Sequence, residues 1–587
     1  MLLLVLLPFI HGSSQSSYLD NSRVIRQKLR GSEKSKSLGF ITVTKTKNVD
    51  DPTLVALPEG QIRGQALQSP DDNVYYAFQE IPYAAPPVGE LRFQAPVAPA
   101  KWEGILNTTK NEKMCYQGFP ASGLYPTEDC LYLNVYTPLK PGDTSQTPLP
   151  VLVWIHGGGF QSGTGAIQSY KPGYFIDHNI VVVTINYRVG VLGFLTTEDG
   201  VIPGNLGLKD QHVALKWVKN NIDLFGGDPE KITIAGESAG AGCVGYQIIS
   251  QRSKGLFRAG ILQSLTPLHQ QAHQDYARFY AFELARNLDP SFTSDNSTEL
   301  LELLRSLPAS NITDNAVAVA VGKEAGLFEG QGIIWLPVIE DASLDGAFLT
   351  DLFHEDIRTG NINQVPIIIG FNSEEALFFF KTDDLDVEVL AKYFDSDLSN
   401  LIRNKFNMTT ENKVTAGTRL RQIYTDGTFE DDPAQVVKFY TDESFSTPVT
   451  RHAKLQSNYT DVYLYQFSYK GNMGGMKDFE VAGVRGVGHA EDLGYFWDAF
   501  SSSGSEDPED VAIRQRLLTL WSNFVKYLNP TPEVDSTLGN VTWEKVSPNN
   551  LVYLNINDTL EMQKNPRDYL KWERIIDMYA IPPLVNY

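Results

Sequence analysis

Gly236-Glu237-Ser238-Ala239-Gly240 is the pentapeptide around which the chain is organised. An apolar run, Lys231-Ile232-Thr233-Ile234-Ala235, precedes it, and residues 241–249 follow with the character of a helix. The order is strand, sharp turn, helix, with a serine at the apex. Such a turn needs its glycines because it is strained and nothing larger than hydrogen fits close beside the serine. It exposes a hydroxyl and sets the N–H of Ala239 at a helix N-terminus, where unpaired N–H groups favour a developing negative charge. A Gly/Ser turn alone carries little weight, so the rest of the chain has to supply partners.

The first partner is His156-Gly157-Gly158-Gly159-Phe160, directly after the apolar run Pro150-Val-Leu-Val-Trp-Ile155. Acyl transfer puts negative charge on a carbonyl oxygen, and backbone N–H groups aimed at it are the usual stabiliser. Consecutive glycines let that backbone approach without Cβ atoms in the way.

A base and an acid should follow the serine in the chain. Of the nine histidines, His269, His273, His354, His452 and His489 do so. His269 and His273 come too soon, in a Gln-rich stretch, and His354 precedes the candidate acids. His452, beside Arg451 and Lys454, is expected on the surface. His489 stands in Gly486-Val-Gly-His489-Ala-Glu-Asp492-Leu493, a glycine-bearing loop able to aim an imidazole at a serine. The acid should end a strand, and Pro366-Ile-Ile-Ile-Gly370 leads into Phe371-Asn-Ser-Glu374-Glu375. Spacing does not separate Glu374 from Glu375.

Around these motifs the runs at residues 150–155, 180–185, 232–235, 259–262 and 365–370 are apolar without alternation, and residues 206–220 have helical periodicity. Strands buried on both faces and alternating with helices imply an α/β fold, with a mostly parallel central sheet covered on both sides. Residues 462–467 add a strand and 510–528 a long closing helix. Helix-rich stretches at 268–349 and 384–440 are expected as insertions above the sheet. Near the start, residues 61–64 and 74–78 are expected to pair as antiparallel strands with a turn at 69–73.

The chain resembles the type-B carboxylesterase/cholinesterase family of the α/β-hydrolase fold. The resemblance runs from about Pro58 to the C-terminal helix. It is carried by residues 78–93 (FQEIPYAAPPVGELRF), 128–136 (EDCLYLNVY), 186–194 (NYRVGVLGF), 204–211 (GNLGLKDQ) and 225–229 (FGGDP), beside the motifs above. It implies Ser238 as nucleophile and Gly158, Gly159 and Ala239 as oxyanion donors. It also implies Glu375, five residues after Gly370, as the acid, and His489 before Asp492-Leu493 as the base. It further implies a disulfide between Cys115 and Cys130, a single catalytic domain over residues 51–587 and a small-molecule ester as substrate. No cofactor is expected, and no metal, since H-E-x-x-H and clustered Cys/His are absent. Choline-specific relatives carry a tryptophan platform in that disulfide loop; this loop has none. A secreted insect-type carboxylesterase acting on lipophilic small esters, of the detoxifying, odorant- or pheromone-clearing or hormone-hydrolysing kind, fits better.

Composition agrees with that class. The 587 residues carry a net charge of -21 and 42% hydrophobic residues, and the acidic balance argues against nucleic acid and anionic membranes as partners. Residues 1–17, opening Met1-Leu-Leu-Leu-Val-Leu-Leu, read as a secretory signal peptide, and the apolar run is too short to span a bilayer. An extracellular location follows. It gives weight to the sequons at Asn107, Asn296, Asn311, Asn407, Asn458, Asn540 and Asn557 as glycosylation sites. Cys115 and Cys130 are near enough to close a loop worth about 3 kcal/mol, while Cys243 is left as a buried thiol. Residues 18–50 form a basic arm, with Arg23, Arg26, Lys28, Arg30, Lys34, Lys36, Lys45 and Lys47, expected to be solvated.

Two other classes are weaker. A silent adhesion module on the same scaffold would lack a member of the serine–histidine–acid set, which is complete here. Gly240-Ala-Gly-Cys-Val-Gly245 matches a dinucleotide fingerprint, but no acidic residue follows at the required distance.

Overall fold

The computed structural model describes residues 51–118, 123–270, 272–323, 333–382, 385–403, 406–476, 478–497 and 507–584. The signal peptide and the basic arm expected at 1–17 and 18–50 lie outside the described residues.

An 11-stranded sheet organises the molecule. Its strands in chain order are β1 (Gln65–Gln68), β2 (Val74–Pro82), β3 (Tyr132–Thr137), β4 (Leu149–Ile155), β5 (Val181–Ile185), β6 (Gly227–Glu237), β7 (Ala259–Gln263), β8 (Ile367–Asn372), β9 (Val462–Phe467), β10 (Val552–Ile556) and β11 (Leu560–Lys564). Across the sheet they run β11-β10-β9-β8-β7-β6-β4-β5-β3-β2-β1. The stretch from β10 to β5 is parallel, and antiparallel strands close both edges. The α/β expectation therefore holds, with a mostly parallel sheet.

The central strands are buried on both faces because alternate residues point opposite ways. From β4, Val151, Val153 and Ile155 join one core with Leu215 and Val218 of α1 (Leu206–Asn221) and Val244 and Ile248 of α2 (Ala239–Ile249). Leu152 and Trp154 join a second core with Leu517 and Trp521 of α5 (Pro508–Tyr527). Two short helices, α3 (Ala434–Thr441) and α4 (Thr447–Gln456), flank a π-helical turn at Asp442–Ser446, and α6 (Tyr569–Tyr579) packs near the C-terminus. The inserted helices Ala277–Leu288, Ser297–Ser306, Val387–Ser396 and Thr410–Tyr424 fall where helix-rich insertions are expected.

One pairing differs from expectation. Strand β2 pairs with Gln65–Gln68, whereas Gln61–Arg63 joins Leu54–Ala56 and Ile105–Asn107 in a separate three-stranded sheet. The residues next to the turn at 69–73 form the hairpin, and the chain leaves it at Gly64, whose N–H donates to the Thr53 carbonyl at 2.8 Å.

In register, Gly236 of β6 lies beside Ile155 of β4 and Leu262 of β7, and Leu262 lies beside Ile369 of β8. The carboxyl ends of β4, β6, β7 and β8 thus line one edge, where open α/β sheets place their ligands.

Candidate active site

Ser238 sits between the end of β6 and the start of α2 with φ 56° and ψ −132°. This is a conformation that side-chain-bearing residues rarely adopt, and such strain clusters at functional positions. The two flanking glycines are required sterically. A Cβ on Gly236 would stand 2.5 Å from Gly240 carbonyl atoms, and one on Gly240 would stand 2.2 Å from the Ile155 oxygen. The Ser238 N–H donates to the Gln263 carbonyl at 2.8 Å, which anchors the turn to β7.

His489 Nε2 lies 2.8 Å from Ser238 Oγ, and His489 Nδ1 lies 2.6 Å from Glu375 Oε2. The acid and histidine loops hold one another through main-chain bonds: Glu374 N–H donates to the Val487 carbonyl at 3.0 Å and His489 N–H to the Glu375 carbonyl at 3.2 Å. Glu375 is fully buried, and its Oε1 accepts the Asn372 N–H at 2.7 Å. Glu374 turns the other way. It accepts from the Ser373 hydroxyl and the Val487 N–H and faces Arg567.

The glycine loop after β4 packs against the serine turn. A Cβ on Gly157 would meet the Glu237 carbonyl oxygen at 2.7 Å and Ser238 Cβ at 3.0 Å. Gly158 and Gly159 adopt φ of 105° and 62°, which glycine alone tolerates readily. Ala239, directly after the serine, opens α2. His156 is a packing residue: it stacks on Tyr187 at 4.3 Å, and burial pulls its pKa down to about 4.

Two further acidic residues, Glu237 and Asp492, join the site. Glu237 Oε1 lies 3.2 Å from His489 Nε2 and, among the described residues, has no hydrogen-bond donor assigned. Burial raises the Glu237 carboxyl strongly. Burial pulls His489 down, but the Glu237 and Glu375 carboxylates outweigh it and raise the imidazole. Asp492 is buried behind them. It accepts from Gln263 Nε2 at 2.6 Å and Asn372 Nδ2 at 3.3 Å, and burial pushes it up to about 6. Glu237 is visible in the pentapeptide, since it directly precedes the serine on the last residue of a buried strand. Three phenylalanines complete the surroundings, with the rings of Phe378, Phe379 and Phe445 at 5.6, 5.7 and 5.0 Å from the His489 ring.

The family model for the carboxylesterase family matches residues 51–570. The chain belongs to the carboxylesterase family. It is therefore a carboxylic ester hydrolase acting on small-molecule esters. Venom carboxylesterase-6 of Apis mellifera is 31% identical over 536 residues, which is 88% of this chain and 93% of that protein. Juvenile hormone esterase of Tribolium castaneum is 32% identical over 531 residues, 86% of this chain and 88% of that one. Among solved structures, juvenile hormone esterase of Manduca sexta with OTFP covalently attached superposes with a TM-score of 0.75 at 27% identity. That match covers 89% of this chain and 99% of the other.

The other four histidines that follow the serine in this carboxylesterase contact other groups. His269 packs on Phe445 at 5.5 Å, His273 faces Asp275 at 3.1 Å and His354 faces Glu355 at 3.5 Å. His452 is not on the surface as expected but fully buried, bonded to the Thr266 hydroxyl and to Gln456 Oε1 at 2.9 Å. Its charged neighbours misled: Arg451 and Lys454 reach Glu573 of α6 at 2.8 and 2.6 Å rather than solvent.

Cys115 and Cys130 form the expected disulfide, and Cys243 is a free buried thiol on α2 whose pKa burial pushes up to about 12. Among the described residues, no cluster of His, Cys, Asp or Glu is arranged to hold a metal ion, and no helix is long and apolar enough to cross a membrane.

Proposed function

We propose that the chain hydrolyses esters through an acyl-enzyme on Ser238, within one catalytic unit spanning residues 51–587. The observation that carries this reading is the continuous line from Ser238 Oγ through His489 to Glu375, at 2.8 and 2.6 Å. His489 Nε2 takes the hydroxyl proton as Oγ attacks the ester carbonyl. Glu375 holds Nδ1–H and stabilises the imidazolium. The oxyanion rests on the N–H groups of Gly158, Gly159 and Ala239. The C–O bond to the alcohol breaks, His489 returns the proton to the leaving oxygen, and an ester to Ser238 remains. Water then attacks that ester through the same base and releases the acid.

The substrate in this reading is a lipophilic small ester. Phe378, Phe379 and Phe445 offer apolar surface beside the imidazole, and two of the relatives are named juvenile hormone esterases. Secretion and glycosylation belong to the same proposal. The apolar leader, the disulfide and the sequons support it: Asn107, Asn296, Asn311, Asn407, Asn458 and Asn540 are exposed and Asn557 is half-buried.

The test is a panel of p-nitrophenyl esters with graded acyl chains, read under pre-steady-state conditions. A burst of p-nitrophenol stoichiometric with enzyme, absent in Ser238→Ala, supports the acyl-enzyme. Unchanged turnover in Ser238→Ala contradicts it.

A further inference from the structure

The turn entering α6 is held in a conformation that L residues avoid. Asn565, Arg567 and Asp568 have φ of 52°, 46° and 57°. Such geometry persists only where the surroundings impose it, and it concentrates at functional positions. Arg567 is the side chain the turn delivers inward, with 16% of it exposed. Its Nε donates to Asp442 Oδ1, and its Nη1 donates to the Ser373 carbonyl oxygen at 2.7 Å.

Both contacts lead to the triad. Ser373 lies two residues before Glu375, in the loop where the Asn372 N–H fixes the Glu375 carboxylate. Asp442 opens the π-helical turn Asp442–Ser446, a geometry that recurs at functional sites. That turn carries Phe445, whose ring lies 5.0 Å from the His489 imidazole and stacks on Phe379 at 5.7 Å. The two elements also meet directly, since Ala376 N–H donates to Thr441 Oγ1 at 3.2 Å. Asp442 is held from α6 as well: Trp572 Nε1 donates to Tyr424 Oη at 2.7 Å, and that hydroxyl donates to Asp442 Oδ2 at 2.8 Å.

We propose that Arg567 is a positioning residue for ester hydrolysis. Through the Ser373 carbonyl and Asp442 it sets Glu375 against His489 and Phe445 against the imidazole. This role rests on the assignment of Ser238, His489 and Glu375 above. An ion pair with Asp442 needs only a positive charge. Holding a main-chain carbonyl at the same time needs the forked guanidinium, which lysine does not reproduce.

The test compares Arg567→Lys and the double variant Arg567→Met with Asp442→Asn against wild type. Thermal unfolding is followed alongside full pH profiles of kcat and KM. Arg567→Lys keeps the charge, and the double variant removes the Asp442 charge together with that of Arg567. In both, kcat falls on the order of 10–100-fold, as expected for a displacement near the chemistry, while KM changes little. The acid limb of kcat/KM moves to lower pH, because a displaced Glu375 raises the imidazole less. In a third variant, Arg567→Ala, added methylguanidinium restores part of kcat. Wild-type kcat and an unshifted profile in folded Arg567→Lys or in the double variant would overturn the proposal and leave Arg567 a structural ion-pair partner. Unchanged turnover in Ser238→Ala would instead fault the Ser238 assignment itself.

Discussion

Glu237 reaches the same imidazole nitrogen as Ser238: its Oε1 lies 3.2 Å from His489 Nε2, and Ser238 Oγ lies 2.8 Å from it. A proton in this corner has two places to rest. On Glu237 it leaves the imidazole neutral and able to take the serine proton. On His489 it leaves a carboxylate beside an imidazolium, the arrangement that forms during each proton transfer. Glu237→Gln removes the carboxylate and one of the three charges, those of Glu237, Glu375 and Asp492, that raise His489. The base works in its neutral form, so the acid limb of kcat/KM should move to lower pH, by about one unit. A pH profile with the limb unmoved would show that Glu237 does not act on the imidazole.

The adjacent glutamates should separate sharply. Glu375 is fully buried and bonded to Nδ1, whereas Glu374 bonds the Ser373 hydroxyl and faces Arg567. Glu375→Gln should cost on the order of 10⁴ in kcat, the loss seen when a triad acid becomes an amide. Glu374→Gln should cost less than tenfold, roughly the scale of a lost charge-assisted bond. Steady-state kinetics on both variants, with circular dichroism to verify folding, checks the contrast.

Gly158→Ala tests the glycine loop. At φ 105° an alanine is strained, and its Cβ would stand 2.4 Å from the Ser162 carbonyl oxygen. The loop must shift and the N–H groups with it, so kcat should fall on the order of 10²–10³ while the fold survives.

The apolar runs make the centre of the fold legible, because β5, β7 and β8 are buried along their whole length and are mostly apolar. The edges are harder. In β11 no residue is fully buried, so its strand carries no comparable signal, and Gln65–Gln68 is half polar and yields its place to the neighbouring Gln61–Arg63 stretch. At the site, the serine turn, the glycine loop and the His489 loop carry glycines demanded by backbone geometry, and these stand out in the chain. Phe445 and Arg567 do not. Each acts from a local irregularity, a π turn and a left-handed turn, that has no residue pattern of its own. His452 was hidden for another reason: the charges beside it are satisfied by α6, a contact between residues far apart in the chain.

His452 also gives a stability prediction. Burial pulls its pKa down to about 4 from an ordinary 6.5. Between those values the unfolded chain binds a proton that the folded one refuses, so stability falls as pH drops through that window, by about 1.4 kcal/mol per pH unit for one such group. Asp492, raised to about 6, acts in the opposite sense, because its contribution is lost as pH rises. A comparison with His452→Gln cancels that term. The variant should be less stable at pH 7, yet its melting temperature should drop less than the wild type's between pH 6.5 and 5. Parallel losses would mean that His452 takes no part.

The most direct measurement is covalent labelling. Wild-type protein treated with diethyl p-nitrophenyl phosphate should gain one diethylphosphoryl group per chain, mapped to Ser238 by peptide mass spectrometry, with esterase activity lost in step with labelling. Ser238→Ala should remain unlabelled and inactive. Label at another residue in proportion to inactivation, or full activity after Ser238 is labelled, would contradict the account.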